Sequence, residues 1–138
     1  MGRLNNYPAM ILIDSGATHN FISRKLVDAL GLSITTIPRL NIRLGDGNHI
    51  GIFDQCRNIK LQFGKFTCCV DALVYEIGPL DIILGIAWLE KLGDIICNWE
   101  THLIQFWDKG EKVKLQGINS PLFSLQSWLS GQLDLMTH

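Results

Sequence analysis

The chain is short of charge, has no long apolar run, and lacks any CxxC pair. Each shortage excludes something. Only 18% of its 138 residues are Asp, Glu, Lys or Arg, and the net charge is −1. With 47% hydrophobic residues, that balance suits a packed core and argues against a disordered chain. The 12 Lys and Arg residues are scattered. With no basic stripe to follow a phosphate backbone, no nucleic-acid partner is expected for this domain. The longest apolar runs, such as Ile82-Ile83-Leu84, fall far short of the roughly 20 residues that cross a bilayer, so no membrane partner is expected either. Met1 leads into Gly-Arg-Leu-Asn-Asn, which is not the charged-then-apolar opening of a secretory signal. The expectation is a soluble, intracellular, cytoplasmic chain of about one domain.

The four cysteines, Cys56, Cys68, Cys69 and Cys97, form no CxxC pair. Cys68 and Cys69 would point to opposite faces of a strand. The histidines, His19, His49, His102 and His138, do not complete the repeated close spacing that zinc requires. No metal and no cofactor are expected, and the thiols read as reduced and mostly buried.

Ala9-Met10-Ile11-Leu12-Ile13 is an apolar run of strand length that stops at Asp14-Ser15-Gly16, as a strand buried on both faces would. Asn20 stands where a helix cap belongs. Phe21, Ile22, Leu26 and Leu30 follow at roughly helical spacing before Gly31. From Ile34 the pattern turns to strands: Leu40, Ile42 and Leu44 alternate with Asn41 and Arg43. Gly45-Asp46-Gly47-Asn48 predicts a hairpin turn, because these residues tolerate positive φ. A second hairpin is predicted at Gly64-Lys65, between Ile59 to Phe63 and Phe66 to Tyr75. Asp81-Ile82-Ile83-Leu84-Gly85 repeats the design of the first strand, and Ala87 to Leu92 reads as a helix closed by Gly93. Strands are predicted over Ile95 to Trp99, Leu103 to Trp107 and Val113 to Leu115, with Trp88 and Trp99 as core anchors. The whole reads as an all-β fold with one or two short helices, closed or sandwiched around one core. Residues 1–117 would form that domain, with 118–138 as a linker or loosely docked segment.

The residue that stands out is Asp14. An acid at the end of an apolar strand is costly to bury unless it is hydrogen-bonded or functional. Gly16 lets backbone approach closely, and the Ser15 hydroxyl can brace a turn. Asp-Ser-Gly alone is common in loops, but its setting is more specific. Ile11-Leu12-Ile13-Asp14-Ser15-Gly16-Ala17-Thr18-His19-Asn20-Phe21-Ile22 resembles the active-site signature of retropepsin-like aspartic proteases. The form is similar to those of gypsy-class long-terminal-repeat retrotransposons of plants. Asp81-Ile82-Ile83-Leu84-Gly85-Ile86-Ala87-Trp88-Leu89 resembles the family's second signature, and Leu92-Gly93-Asp94-Ile95-Ile96-Cys97-Asn98-Trp99 its continuation.

The resemblance implies a small closed β-barrel of the acid-protease type, one lobe per chain, with Asp14 catalytic and Ser15, Gly16 and Ala17 in the active-site turn. No second Asp-Ser-Gly or Asp-Thr-Gly occurs, so the other acid of the pair would come from a homodimer partner. The substrate would be an extended peptide within a polyprotein, with Thr18, Asp46, Gly47, Ile83 and Ile86 as binding positions. The hairpin around Asp46 and Gly47 would be a flap over that peptide. By the same resemblance, Ile83 and Leu84 would pack behind the catalytic turn, Ser15 would brace the partner's turn, and Gly16, Ala17 and Thr18 would line the substrate backbone. The alternative is a catalytically inactive dimerisation or peptide-binding domain of the same fold. A glycosidase would need a second acid at a controlled separation, and none is marked out as Asp14 is.

Overall fold

The structure is a computed structural model that describes residues 2–43, 47–116 and 123–124. It is mostly β. The chain opens with a hairpin of β1 (Gly2–Leu4) and β2 (Tyr7–Ala9), turned by Asn5 and Asn6 at positive φ. The apolar run then forms β3 (Ile11–Asp14), with every residue buried. Next comes β4 (Phe21–Ser23), which leads directly into α1 (Arg24–Leu30).

Here the structure corrects the sequence reading. Phe21 and Ile22 are strand, paired with β7 (Phe66–Tyr75) on one side and β8 (Ile82–Leu84) on the other. Ser23, not Asn20, caps the helix: its Oγ accepts the Leu26 amide at 3.1 Å. Gly31 closes the helix in the left-handed region, at φ 62°.

β5 (Thr35–Arg43) and β6 (His49–Phe63) form the first long hairpin, and β6 and β7 the second, turned at Gly64-Lys65. β6 is one strand of 15 residues rather than a strand beginning at Ile59. A register shift between Cys56 and Ile59 lets it bend. Asn58 sits there at φ 54°, and its amide donates to the Asp71 carboxylate at 2.9 Å.

After β8 come α2 (Ile86–Leu89) and a 3-10 turn, Glu90–Leu92, ended by Gly93 at φ 72°. A separate three-stranded sheet follows, formed by β9 (Ile96–Asn98), β10 (Leu103–Asp108) and β11 (Glu111–Gln116). β12 (Phe123–Ser124) returns to pair in parallel with β3. The large sheet runs β12-β3-β8-β4-β7-β6-β1-β2, with β5 on β6, and wraps into a nearly closed barrel.

Two apolar clusters fill it. One holds Leu4, Ile13, Ile22, Leu61, Ile82, Trp88 and Phe106. Its ring contacts, Phe66 on Phe106 at 5.1 Å and Trp88 on Phe106 at 6.3 Å, fasten the small sheet to the barrel. Trp88 is the anchor expected of it, but Trp99 is 43% exposed, because it follows the short edge strand β9 into a turn rather than facing the barrel. The other cluster gathers Leu12, Ala17, Phe21, Ile42, Ile52, Leu73, Ile77 and Ile83. Among the described residues no helix is long and apolar enough to cross a membrane.

Candidate active site

β3 and β4 are consecutive in sequence but do not pair. β8 lies between them, parallel to β3 and antiparallel to β4. Ile13 stands beside Leu84, and Phe21 beside Ile83, so the link from Asp14 to Asn20 must pass over the end of β8 at Gly85. That crossing is the site.

The link begins as a tight turn. The Ala17 amide donates to the Asp14 carbonyl at 3.1 Å, and the Gly16 amide donates to Asp14 Oδ1 at 2.8 Å. The second bond is an Asx turn, in which a short acidic side chain mimics a backbone acceptor. Asp14 has no exposed surface. A carboxylate taken out of water needs such donors, since an unpaired buried charge costs several kcal/mol or shifts to its neutral form. The turn presents Ser15 and Gly16 to solvent.

Behind the turn, the start of α2 presses close. The Ile86 amide donates to the Ala17 carbonyl at 2.7 Å. A Cβ placed on Gly85 would stand 2.4 Å from that oxygen and 2.6 Å from the His19 carbonyl, both backbone atoms. Glycine is therefore required at 85 by close approach. Asn20 clamps the far end of the link. Its Nδ2 donates to the Asp71 carbonyl at 3.1 Å, its Oδ1 accepts the Gly85 amide at 3.0 Å, and its own carbonyl accepts the Leu73 amide at 2.9 Å. At the opposite end of β8, Asp81 Oδ2 accepts the Met10 amide at 2.8 Å, and its own amide donates to the Met10 carbonyl at 2.9 Å.

The expected site residues divide accordingly. Asp14, Ser15, Gly16, Ala17 and Thr18 lie on one continuous link, with Thr18 exposed. Ala17, however, is wholly buried and has both backbone groups bonded within the chain, so it is a strut rather than a lining for substrate. Ile83 has no exposed surface and packs behind the turn with Ala17 and Leu12, as Leu84 packs into the other cluster. Ile86, 40% exposed beside the Ala17 carbonyl, is the apolar candidate with surface to offer. Gly47, between β5 and β6, takes φ 90°, a conformation that favours glycine, while Asp46 lies outside the described residues. The arms of that hairpin reach the site through Ile42 and Ile52, which share a cluster with Ala17.

Thr18 Oγ1 lies 2.8 Å from His19 Nδ1, and burial pushes the His19 imidazole below its ordinary value. Burial also raises the thiols of Cys56, Cys68 and Cys97, which keeps them protonated near neutral pH and leaves them poor nucleophiles. Among the described residues no group of His, Cys, Asp and Glu is arranged to hold a metal ion. A groove of about 450 Å³ uses Ile11 and Ile13 of β3 together with Phe63, Val113 and Leu115, but no residue from Asp14 to Asn20 lines it. That groove lies apart from the Asp14 turn.

Asn20 is the site residue that the sequence reading assigned elsewhere. The signal for it was an amide standing directly before a buried apolar pair, Phe21 and Ile22.

A family model described as retroviral aspartyl protease matches residues 1–108. Among solved structures, the chain is similar to the retroviral protease-like domain of Ddi1 from Leishmania major, with a TM-score of 0.64 and 14% identity. That match covers 87% of this chain and 93% of the other, and at such low identity it speaks for the fold. Among curated proteins none matches.

Proposed function

The chain belongs to the retroviral aspartyl protease family, and from that premise we propose that it is one half of an aspartic endopeptidase active as a homodimer. The observation that carries this reading is Asp14, a buried acid at a strand end, oriented by the Gly16 amide in a turn propped by Gly85 and Ile86. The sequence holds one such Asp-Ser-Gly turn, and a two-fold axis is the economical way to bring two of them together.

Two carboxylates at hydrogen-bonding distance cannot both ionise cheaply, so the pair holds one proton. The ionised Asp14 takes a proton from water while the water oxygen bonds to the scissile carbonyl carbon. The protonated Asp14 donates to the carbonyl oxygen. As the C–N bond breaks, a proton passes to the leaving nitrogen, giving a carboxylic acid and an amine. No cofactor enters the balance.

Ser15 would brace the partner's turn across the interface. Thr18 and Ile86 would meet an extended peptide, which would lie beneath the β5–β6 hairpin acting as a flap, with Asp46 and Gly47 near its tip. The similarity of the Asp14 and Asp81 segments to gypsy-class sequences supports a retroelement polyprotein as the natural substrate. Residues 1–117 would form the body of the catalytic domain, with 118–138 as a docked segment whose Phe123–Ser124 adds an edge strand beside β3.

A second reading is a catalytically inactive dimerisation or peptide-binding domain. What favours it is the complete burial of Asp14 in the single chain, which leaves no surface for water or substrate until the turn is uncovered.

Cleavage of a mixed peptide library between about pH 4 and 7, beside an Asp14→Asn control, separates the two. Cleavage that vanishes in the control and rises more steeply than linearly with enzyme concentration is the expected result. A folded dimer that cleaves nothing would overturn the protease reading and leave the binding domain.

A further inference from the structure

Asn20 is buried immediately before β4, whose Phe21 and Ile22 have no exposed surface. An apolar side chain there would add to the core without desolvating an amide. The amide is explained by its two bonds, which run to different elements: Nδ2 to the Asp71 carbonyl in β7, and Oδ1 from the Gly85 amide at the joint of β8 and α2.

We infer that Asn20 is a positioning residue for Asp14, acting through Gly85 and Ala17. This rests on the aspartic-protease reading of the same site. The route is continuous on the page: Asn20 Oδ1 holds the Gly85 amide at 3.0 Å, and Gly85 abuts the Ala17 carbonyl, which Ile86 bonds at 2.7 Å. The Ala17 amide in turn holds the Asp14 carbonyl at 3.1 Å. β7 is the fixed end of this strut, being paired with β6 along most of its length. Without the amide, Gly85 is free to draw back from Ala17, and the turn loses its support from behind.

The two-fold dimer makes the effect large. Any shift of Asp14 occurs in both chains, so the separation of the carboxyls changes by up to about twice the shift in one. Proton sharing depends on that separation, and misplacement of about 1 Å lowers catalysis by about a hundredfold.

The test compares the dimer with Asn20→Ala, Asn20→Asp and Gly85→Ala, and with Ile59→Ala as a buried-core control whose side chain makes none of these hydrogen bonds. At a temperature where all are folded, Asn20→Ala and Gly85→Ala should lower kcat by about tenfold or more with KM within about threefold. Asn20→Asp should recover activity at acidic pH. There its protonated carboxyl can both accept from Gly85 and donate to Asp71, and the recovery should fade as that group ionises. Ile59→Ala should keep its kcat. Amide hydrogen exchange gives a readout independent of cleavage: Gly16 and Ala17 should exchange about tenfold faster or more in Asn20→Ala but not in Ile59→Ala. Unchanged kcat in folded Asn20→Ala, or faster exchange confined to Gly85, would overturn the inference. If the wild-type dimer cleaves nothing, the protease reading fails by itself, and the exchange of Gly16 and Ala17 still decides whether Asn20 holds the turn.

Discussion

The Gly16 amide points at Oδ1 of Asp14 from 2.8 Å, so the turn that carries the acid also aims it. The main chain closes the same loop, with Ala17 bonded to the Asp14 carbonyl at 3.1 Å. Orientation is therefore local: the carboxyl is set before any partner or peptide arrives, which is how a catalytic group avoids reorganising during the reaction.

Asp14→Asn keeps an oxygen for the Gly16 amide and should fold. It removes the group that takes a proton from water, and activity should fall by on the order of 10³-fold or more. Mixing gives the sharper result. If each site needs Asp14 from both chains, wild-type protein re-equilibrated with an equal amount of Asp14→Asn should keep about half its activity per wild-type chain, because half of those chains pair with an inactive one. Activity that stays at full value on mixing, with exchange shown by mass spectrometry, would place the site within one chain.

Asp81 fixes β8 to β3 at the end away from the turn. Its carboxylate accepts the Met10 amide at 2.8 Å, while its amide donates to the Met10 carbonyl at 2.9 Å. Asp81→Ala leaves the Met10 amide without that acceptor in a half-buried place, and should lower stability by about 1–3 kcal/mol. Urea unfolding monitored by tryptophan fluorescence would give the value. A loss below about 0.5 kcal/mol would mean that water replaces the carboxylate at Met10.

The link from Asp14 to Asn20 is legible in the sequence because an acid ends a strand whose other residues are all apolar, and because Gly85 follows a second strand of the same design. What surrounds it is less so. Phe21, Ile22, Leu26 and Leu30 keep helical spacing, yet the first two are strand, because apolar spacing alone does not separate a short buried strand from the first turn of a helix. The deciding partners, in β7 and β8, lie far along the chain. Asn20 illustrates the same limit: its partners are 51 and 65 residues away, so local reading turns it into a helix cap. The Asn5-Asn6 pair carries a local signal that the sequence reading omits: paired asparagines tolerate positive φ, and they turn the hairpin of β1 and β2.

Phe106 joins the small sheet to the barrel through Phe66 at 5.1 Å and Trp88 at 6.3 Å, and it is 1% exposed. Phe106→Ala should remove about 3–5 kcal/mol, from lost burial and the hole left among the rings. Because Trp88 sits in α2 two residues after Ile86, the same change should loosen the prop behind Ala17. Thermal unfolding gives the first effect. Faster amide exchange at Ile86 at temperatures well below the midpoint gives the second, and unchanged exchange there would show that α2 is held by β8 alone.

His19 sets acidity against stability. Burial lowers its imidazole pKa below the ordinary 6.5, so between the folded and unfolded values the unfolded chain binds the proton that the folded chain declines. The unfolded state then holds more protons, and stability rises with pH across that window. Stated from the other side, the His19 contribution is complete above about pH 6.5 and is lost as the pH falls through the folded value. The carboxyl pair proposed at Asp14 asks for the opposite, since a shared proton is kept on the acidic side and lost as the pH rises. His19→Gln should therefore flatten the fall in urea midpoint as the pH drops below about 6.5, while leaving the alkaline limb of the cleavage profile unmoved. Parallel stability curves for the two proteins over that range would show that His19 is not the group whose protonation the fold resists. A shifted alkaline limb would instead place the imidazole within electrostatic reach of the catalytic pair.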